Sequence, residues 1–202
     1  MNGYRGASRF VSMGVALLFV GSLLLSQACG GGGGGGGGRV PPVMRFVCSG
    51  GVAPSPDQVS LSCPATSGSP LLVSVIIGGA TTSTDIYGIK FDLVFSPTVM
   101  TFDGPAIEGT FLNQGGVATT LIASSSPGDP GRVVVSITRT GAVSGTQATT
   151  TQTTVMTLSF AATGVAGSTS LTFENTEVVD SMTPTPIASV NFTSSPLTVS
   201  FQ

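Results

Sequence analysis

The side chains that could do acid–base or hard-cation chemistry in this 202-residue chain are nine carboxylates, and no histidine stands beside them. A glycosidase sets two such groups across a scissile bond, one as acid and the other as base or nucleophile. The candidates are Asp85, Asp92, Asp103, Glu108, Asp129, Glu174, Glu177 and Asp180, each falling singly between apolar runs where turn-forming Asp is common. No catalytic residue is assigned, and an enzyme is not expected. Asp129 and the stretch from Glu174 to Asp180 offer oxygens to a calcium ion in a loop, but the spaced Asp/Asn series of an EF-hand loop is absent. No metal or other cofactor is therefore assigned. Arg139, beside Gly141, reads as a turn charge. The nine glycines Gly30 to Gly38 lack the preceding strand, following helix and fixed Lys of a phosphate-binding loop. Seven bases against nine acids give a net charge of -2, the wrong sign for neutralising phosphates, so nucleic acid is not the partner.

Charged residues make up 8% of the chain, against about a quarter in an average protein. Such poverty accompanies membrane proteins or extracellular β-proteins, and 26 Ser with 26 Thr favour the second. Residues 1–28 read as an export signal, with Arg5 and Arg9 preceding an uncharged apolar run from Phe10 to Leu25. That run has 16 residues, short of the roughly 20 that a permanent membrane-spanning helix needs. Its end, Leu25-Ser26-Gln27-Ala28-Cys29, resembles the lipobox of bacterial lipoprotein signals. The resemblance implies cleavage before Cys29 and a lipid on its thiol, which would hold the exported chain at an outer membrane or cell surface. Of the three cysteines Cys29 is then spoken for, and Cys48 and Cys63 are left as a disulfide pair in an oxidising compartment. Residues 29–42 read as a tether, because nine glycines carry nothing to bury and hold no fixed backbone. The glycine run spans about 15–18 Å as a random coil.

From Val43 to Gln202 the chain is a series of short β-branched runs broken by Gly, Pro, Ser and Asp, which predicts one all-β domain. Expected strands are 59–63, 70–77, 86–95, 99–102, 117–124, 131–138, 153–162, 168–173, 177–179, 187–192 and 197–201. Alternation puts Tyr87, Ile89, Phe91, Leu93 and Phe95 on the core side of one strand, and Ile86, Gly88, Lys90, Asp92 and Val94 on the other. Met156, Leu158, Phe160, Leu171, Phe173, Val190, Phe192, Leu197, Val199 and Phe201 complete the expected interior. Outward positions are mostly Thr, Ser and Ala, which pair across strands on a pleated surface. Thr149 to Thr154 then read as a polar loop entering a strand.

The stretch from Ile86 to Met100, with its long alternating strand and Ser96-Pro97 turn, resembles the cohesin domains of bacterial cellulosomes and related surface proteins. Gly131 to Ile137, Val155 to Phe160, Ser170 to Phe173 and Leu197 to Phe201 follow in similar order, so the resemblance covers a core of about 57–202 within a domain at 43–202. It implies a two-sheet β-sandwich of jelly-roll type with about nine strands, binding a calcium-loaded dockerin module on one flat sheet face. Ser96 stands where the family often has Asp, and Gly88 and Lys90 stand where some members place Asn and Asp against dockerin. Those contact roles are not carried over. The expected function is protein–protein interaction at the cell envelope, linked to polysaccharide breakdown through the partner, with Lys90 and Asp92 as face residues. The alternative is a carbohydrate-binding module. Sugar platforms use exposed Trp or Tyr, and beyond the signal the chain has no Trp and only Tyr87.

Overall fold

The computed structural model describes residues 44–79, 85–147, 151–182 and 186–202; the signal, Cys29 and the tether lie outside the described residues. The described residues form thirteen strands: β1 (Phe46–Ser49), β2 (Gln58–Ser62), β3 (Thr66–Ser67), β4 (Leu71–Ile77), β5 (Ile86–Val94), β6 (Met100–Phe102), β7 (Ile107–Glu108), β8 (Thr119–Ser126), β9 (Asp129–Arg139), β10 (Thr153–Ala162), β11 (Gly167–Asp180), β12 (Asn191–Phe192) and β13 (Leu197–Phe201). One 3-10 turn at Gln114–Gly116 is the only helical element among the described residues. Seven strands make one sheet in the order β3-β1-β13-β11-β5-β9-β8. The other sheet runs β12-β2-β4-β10-β6, with β7 also paired to β10.

Period-two alternation gives each sheet one apolar face, and the two faces meet. Phe46, Phe91, Leu93, Val133, Val135, Ile137, Leu171 and Val199 come from one side and Val59, Leu71, Val73, Val75, Ile77, Leu158 and Phe160 from the other, all buried. Phe160 packs edge-on against Phe95 and Phe102, with ring centroids 5.2 and 5.8 Å apart, while Phe91 meets Phe173 at 5.1 Å. Such tilted aromatic pairs add to area burial. Most of the expected interior lies in this core, while Phe173 and Phe192 are partly buried against it.

Several elements differ from the alternation pattern, each for a local reason. The expected strands 168–173 and 177–179 are one strand, β11, carrying a bulge between Glu174 and Glu177. Asn175 sits in that bulge at φ 47°, a left-handed conformation that Asn tolerates better than most residues. Ile187 to Val190 form a turn, closed by the Val190 amide donating to the Ile187 carbonyl at 3.3 Å, so the expected strand 187–192 shrinks to β12. Strands β1, β3 and β7 are short additions beyond the nine or so implied by the resemblance.

At the start of β5 the pairing with β11 skips Tyr87, since Asp180 faces Ile86 and Val179 faces Gly88. Ile86, expected outward, is therefore fully buried, and its backbone exchanges two hydrogen bonds with Thr146. Tyr87, expected in the core, is half-buried, and its hydroxyl donates to the Gly141 carbonyl at 2.9 Å. A second irregularity in β10, between Thr154 and Met156, lets Val155 and Met156 both point into the core.

Candidate functional site

On the outer side of the seven-stranded sheet, the strands β8, β9, β5 and β11 align outward residues in rows. Thr120, Thr138, Gly88 and Val179 form one row; Ile122, Ser136, Lys90 and Glu177 the next; Ser124, Val134, Asp92 and Glu174 the third. Ile122 is 58% exposed and Val134 36%, so an apolar pair lies diagonally on the β8–β9 half of this face. The β5–β11 half carries the charge. Gly88, without a side chain, leaves a shallow dip lined by Lys90, Ser136, Thr138, Glu177 and Val179. A Cβ there would lie 2.8 Å from Thr138 Cγ2, so the dip exists because residue 88 is glycine.

The charged half is organised by Arg132. Its Nη1 donates to Asp92 Oδ2 at 2.8 Å, its Nη2 to Glu174 Oε2 at 2.7 Å and its Nε to Asp129 Oδ2 at 3.2 Å. Arg132 faces Val94 in register, and a long side chain reaches the diagonal neighbours of its row. The bulge at Asn175 turns that side chain over β5, where Nδ2 donates to Asp92 Oδ2 at 2.6 Å. Bonds to Glu174, then Asp92 and Asp129, hold the Arg132 guanidinium protonated beyond its ordinary range. Lys90 and Glu177 pair more loosely, at 3.8 Å, with both side chains about half exposed.

Of the two face residues expected from sequence, Lys90 projects into solvent and Asp92 does not. Asp92 points outward as alternation requires, but Arg132 and Asn175 cover it, and its side chain is only 9% exposed. Asp92 therefore positions Arg132 and is not itself presented. The residues that sequence reasoning passed over are Ile122, Val134 and Arg132, and Glu174 was named there only as a carboxylate or calcium candidate. Val134 was legible in principle: within Val133-Val134-Val135, a strand buried on one face must expose the middle residue. Arg132 was not, because its partners come from strands 40 and 42 residues away.

At one end of the sandwich a second polar cluster closes three loops. Asp85 Oδ1 accepts from the Gly145 amide at 2.6 Å, and Oδ2 accepts from the Ser181 amide at 3.1 Å and from the Ser181 hydroxyl. The hydroxyl bond is the main cause holding the Asp85 carboxyl below its usual range, with desolvation opposing it and the two amides and Arg139 assisting. Arg139 is no turn charge: it ends β9 on the core side, 7% exposed, donating to Thr146 Oγ1 and to the Gln114 carbonyl. Asp129 and Glu174, the candidate calcium ligands of the sequence, are both engaged by Arg132. Cys48 and Cys63 are bonded, with Cα atoms 6.3 Å apart, and join β1 of one sheet to the end of β2 in the other.

No family model and no curated protein matches the chain. Solved structures do match. The second type II cohesin module of the adaptor ScaA scaffoldin of Acetivibrio cellulolyticus is 15% identical over 70% of this chain and 87% of its own, with a TM-score of 0.53. A type II cohesin domain from the cellulosome of the same organism is 16% identical over 69% and 92%, at 0.51. CaCohA2 from Clostridium acetobutylicum is 18% identical over 69% and 87%, at 0.50. The fold is thus the two-sheet jelly roll of cohesin modules.

Proposed function

We propose that this chain is a non-catalytic interaction module, held at a bacterial cell envelope by a lipid on Cys29, whose β8-β9-β5-β11 face docks a protein partner of the dockerin kind. The observation that carries the reading is the make-up of that face: exposed Ile122 and Val134 beside a charged half in which Arg132 is held by three carboxylates. The half-exposed acids Asp129, Glu174 and Glu177 outnumber Lys90 and Arg132, so the face suits a partner with an apolar ridge flanked by basic side chains. The fold supports the same reading, since CaCohA2 is also solved in complex with CaDoc0917, and a type II cohesin of A. cellulolyticus with an X-dockerin. Residues 1–28 would direct export, and the glycine run would hold the domain off the membrane by the span of a short coil. Any link to polysaccharide breakdown would come through enzymes bearing the partner module. Tyr87, whose hydroxyl is tied to Gly141, is a poor sugar platform, which disfavours direct glycan binding.

Calcium-loaded dockerin modules passed over the immobilised chain test the docking. Binding is expected, with loss in Val134→Asp and retention in Leu72→Asp, which alters an exposed residue of the opposite sheet. No binding to any module by the folded chain, or loss on the Leu72 variant alone, refutes it. Incorporation of radiolabelled palmitate that disappears in Cys29→Ser tests the anchor.

A further inference from the structure

Strand β8 is the one long strand at an edge among the described residues; the other three sheet ends are β3, β6 and β12, of two or three residues each. Natural proteins protect such an edge with charge, proline or a bulge. Thr119 to Ser125 carry none of these: the run Thr-Thr-Leu-Ile-Ala-Ser-Ser is uncharged, and its pairing with β9 is regular up to a shift after Ser125. The Thr140 amide donates to the Ala118 carbonyl at 2.9 Å, which fixes the phase of the ladder. Even-numbered residues of β8 bond to β9, and the amides and carbonyls of Thr119, Leu121, Ala123 and Ser125 point away from the sheet.

We infer that this edge pairs antiparallel with β8 of a second copy, about a two-fold axis at Ile122. The side chains argue for that occupant and that register. With Ile122 opposite itself, Leu121 meets Ala123 of the other copy and Thr119 meets Ser125 on the inner side, while Thr120 meets Ser124 on the outer side. Every pair is self-complementary and none brings like charges together. The exposed Ile122 gains an apolar neighbour at the axis. The four free residues on each copy form two hydrogen bonds per facing pair. The axis runs perpendicular to the sheet, so both copies turn their β9-β5-β11 faces the same way and the dimer is bivalent.

Sedimentation equilibrium of the full chain in neutral detergent, over a wide concentration range, is the test. A reversible monomer–dimer equilibrium is expected. Ala123→Pro removes an amide that bonds nothing among the described residues, a place where an edge strand accepts proline; it should yield a monomer with the parent's circular dichroism and, at concentrations where the parent is monomeric, the parent's melting curve. Ile122→Lys should do the same by setting two ammonium groups together. Under mild oxidation Ile122→Cys should form a dimer on a non-reducing gel, whereas Thr120→Cys should not. A chain that is monomeric throughout, a dimer indifferent to both Ala123→Pro and Ile122→Lys, cross-linking through Thr120→Cys instead, or an edge that takes up only uncharged peptides overturns the inference.

Discussion

Arg132 Nη1 and Asp92 Oδ2 lie 2.8 Å apart across β9 and β5, and this pair converts the central acidic position of the outer face from a presented group into a buried support. A carboxylate so covered requires its partners, because removing one leaves a desolvated charge. The guanidinium also separates Asp92 from Glu174 and Asp129, so one residue holds three like charges near one another.

Arg132→Ala should therefore lower the urea midpoint of unfolding more than Asp129→Ala or Glu174→Ala. Arg132→Lys should recover only part of the loss, since an ammonium cannot fork to two carboxylates. Added salt should narrow the gap between Arg132→Ala and the parent chain by screening the exposed acids. Equal midpoints for Arg132→Lys and the parent would show that geometry plays no part.

The Asp85 clasp makes a pH-dependent prediction. Its carboxyl is held below the ordinary 3.8, so its contribution is present at neutral pH and falls away as pH drops through the lower, folded value. Asp85→Asn should cost on the order of 1 kcal/mol at pH 7, a figure kept small for solvent screening. Urea curves in increasingly acid buffer should bring variant and parent together below the usual carboxylate range. A difference constant with pH would place the loss in packing instead of charge.

The Cys48–Cys63 bond closes a loop of 15 residues between the two sheets. A loop of that length constrains the unfolded chain by about 3 kcal/mol at room temperature. The double variant Cys48→Ser, Cys63→Ser should lose about that much in denaturant unfolding, and a reductant should destabilise the parent and leave the variant unmoved.

Truncating Phe160, which is fully buried between Phe95 and Phe102, should cost about 3–5 kcal/mol. Val134→Ala, on the outer face, should change stability by no more than about 0.5 kcal/mol. Thermal melts of the two variants separate core from face: a large loss at Val134 would mean that this residue is packed and not presented.

The division between what sequence and structure each decided follows the range of the interactions. Alternation in Ile86 to Phe95, Val155 to Phe160 and Leu197 to Phe201 is a local property of a strand buried on one side, and it determined the all-β class, the sandwich interior and most of the strands. It failed at Ile86 and Tyr87, where one skipped residue in the ladder with β11 reverses the faces. The reading of Arg139 as a turn charge failed for another reason: its neighbours Thr146 and Gln114 come from separate loops. Outwardness was readable for Lys90 and Asp92 alike; only tertiary structure decided that Arg132 and Asn175 would cover one and leave the other exposed. The neutral edge of β8 is spelled out as Thr-Thr-Leu-Ile-Ala-Ser-Ser, but sheet order alone made it an edge. Local pattern sets which way a side chain points, whereas cover, ion pairing and edge position depend on which distant strands arrive beside it.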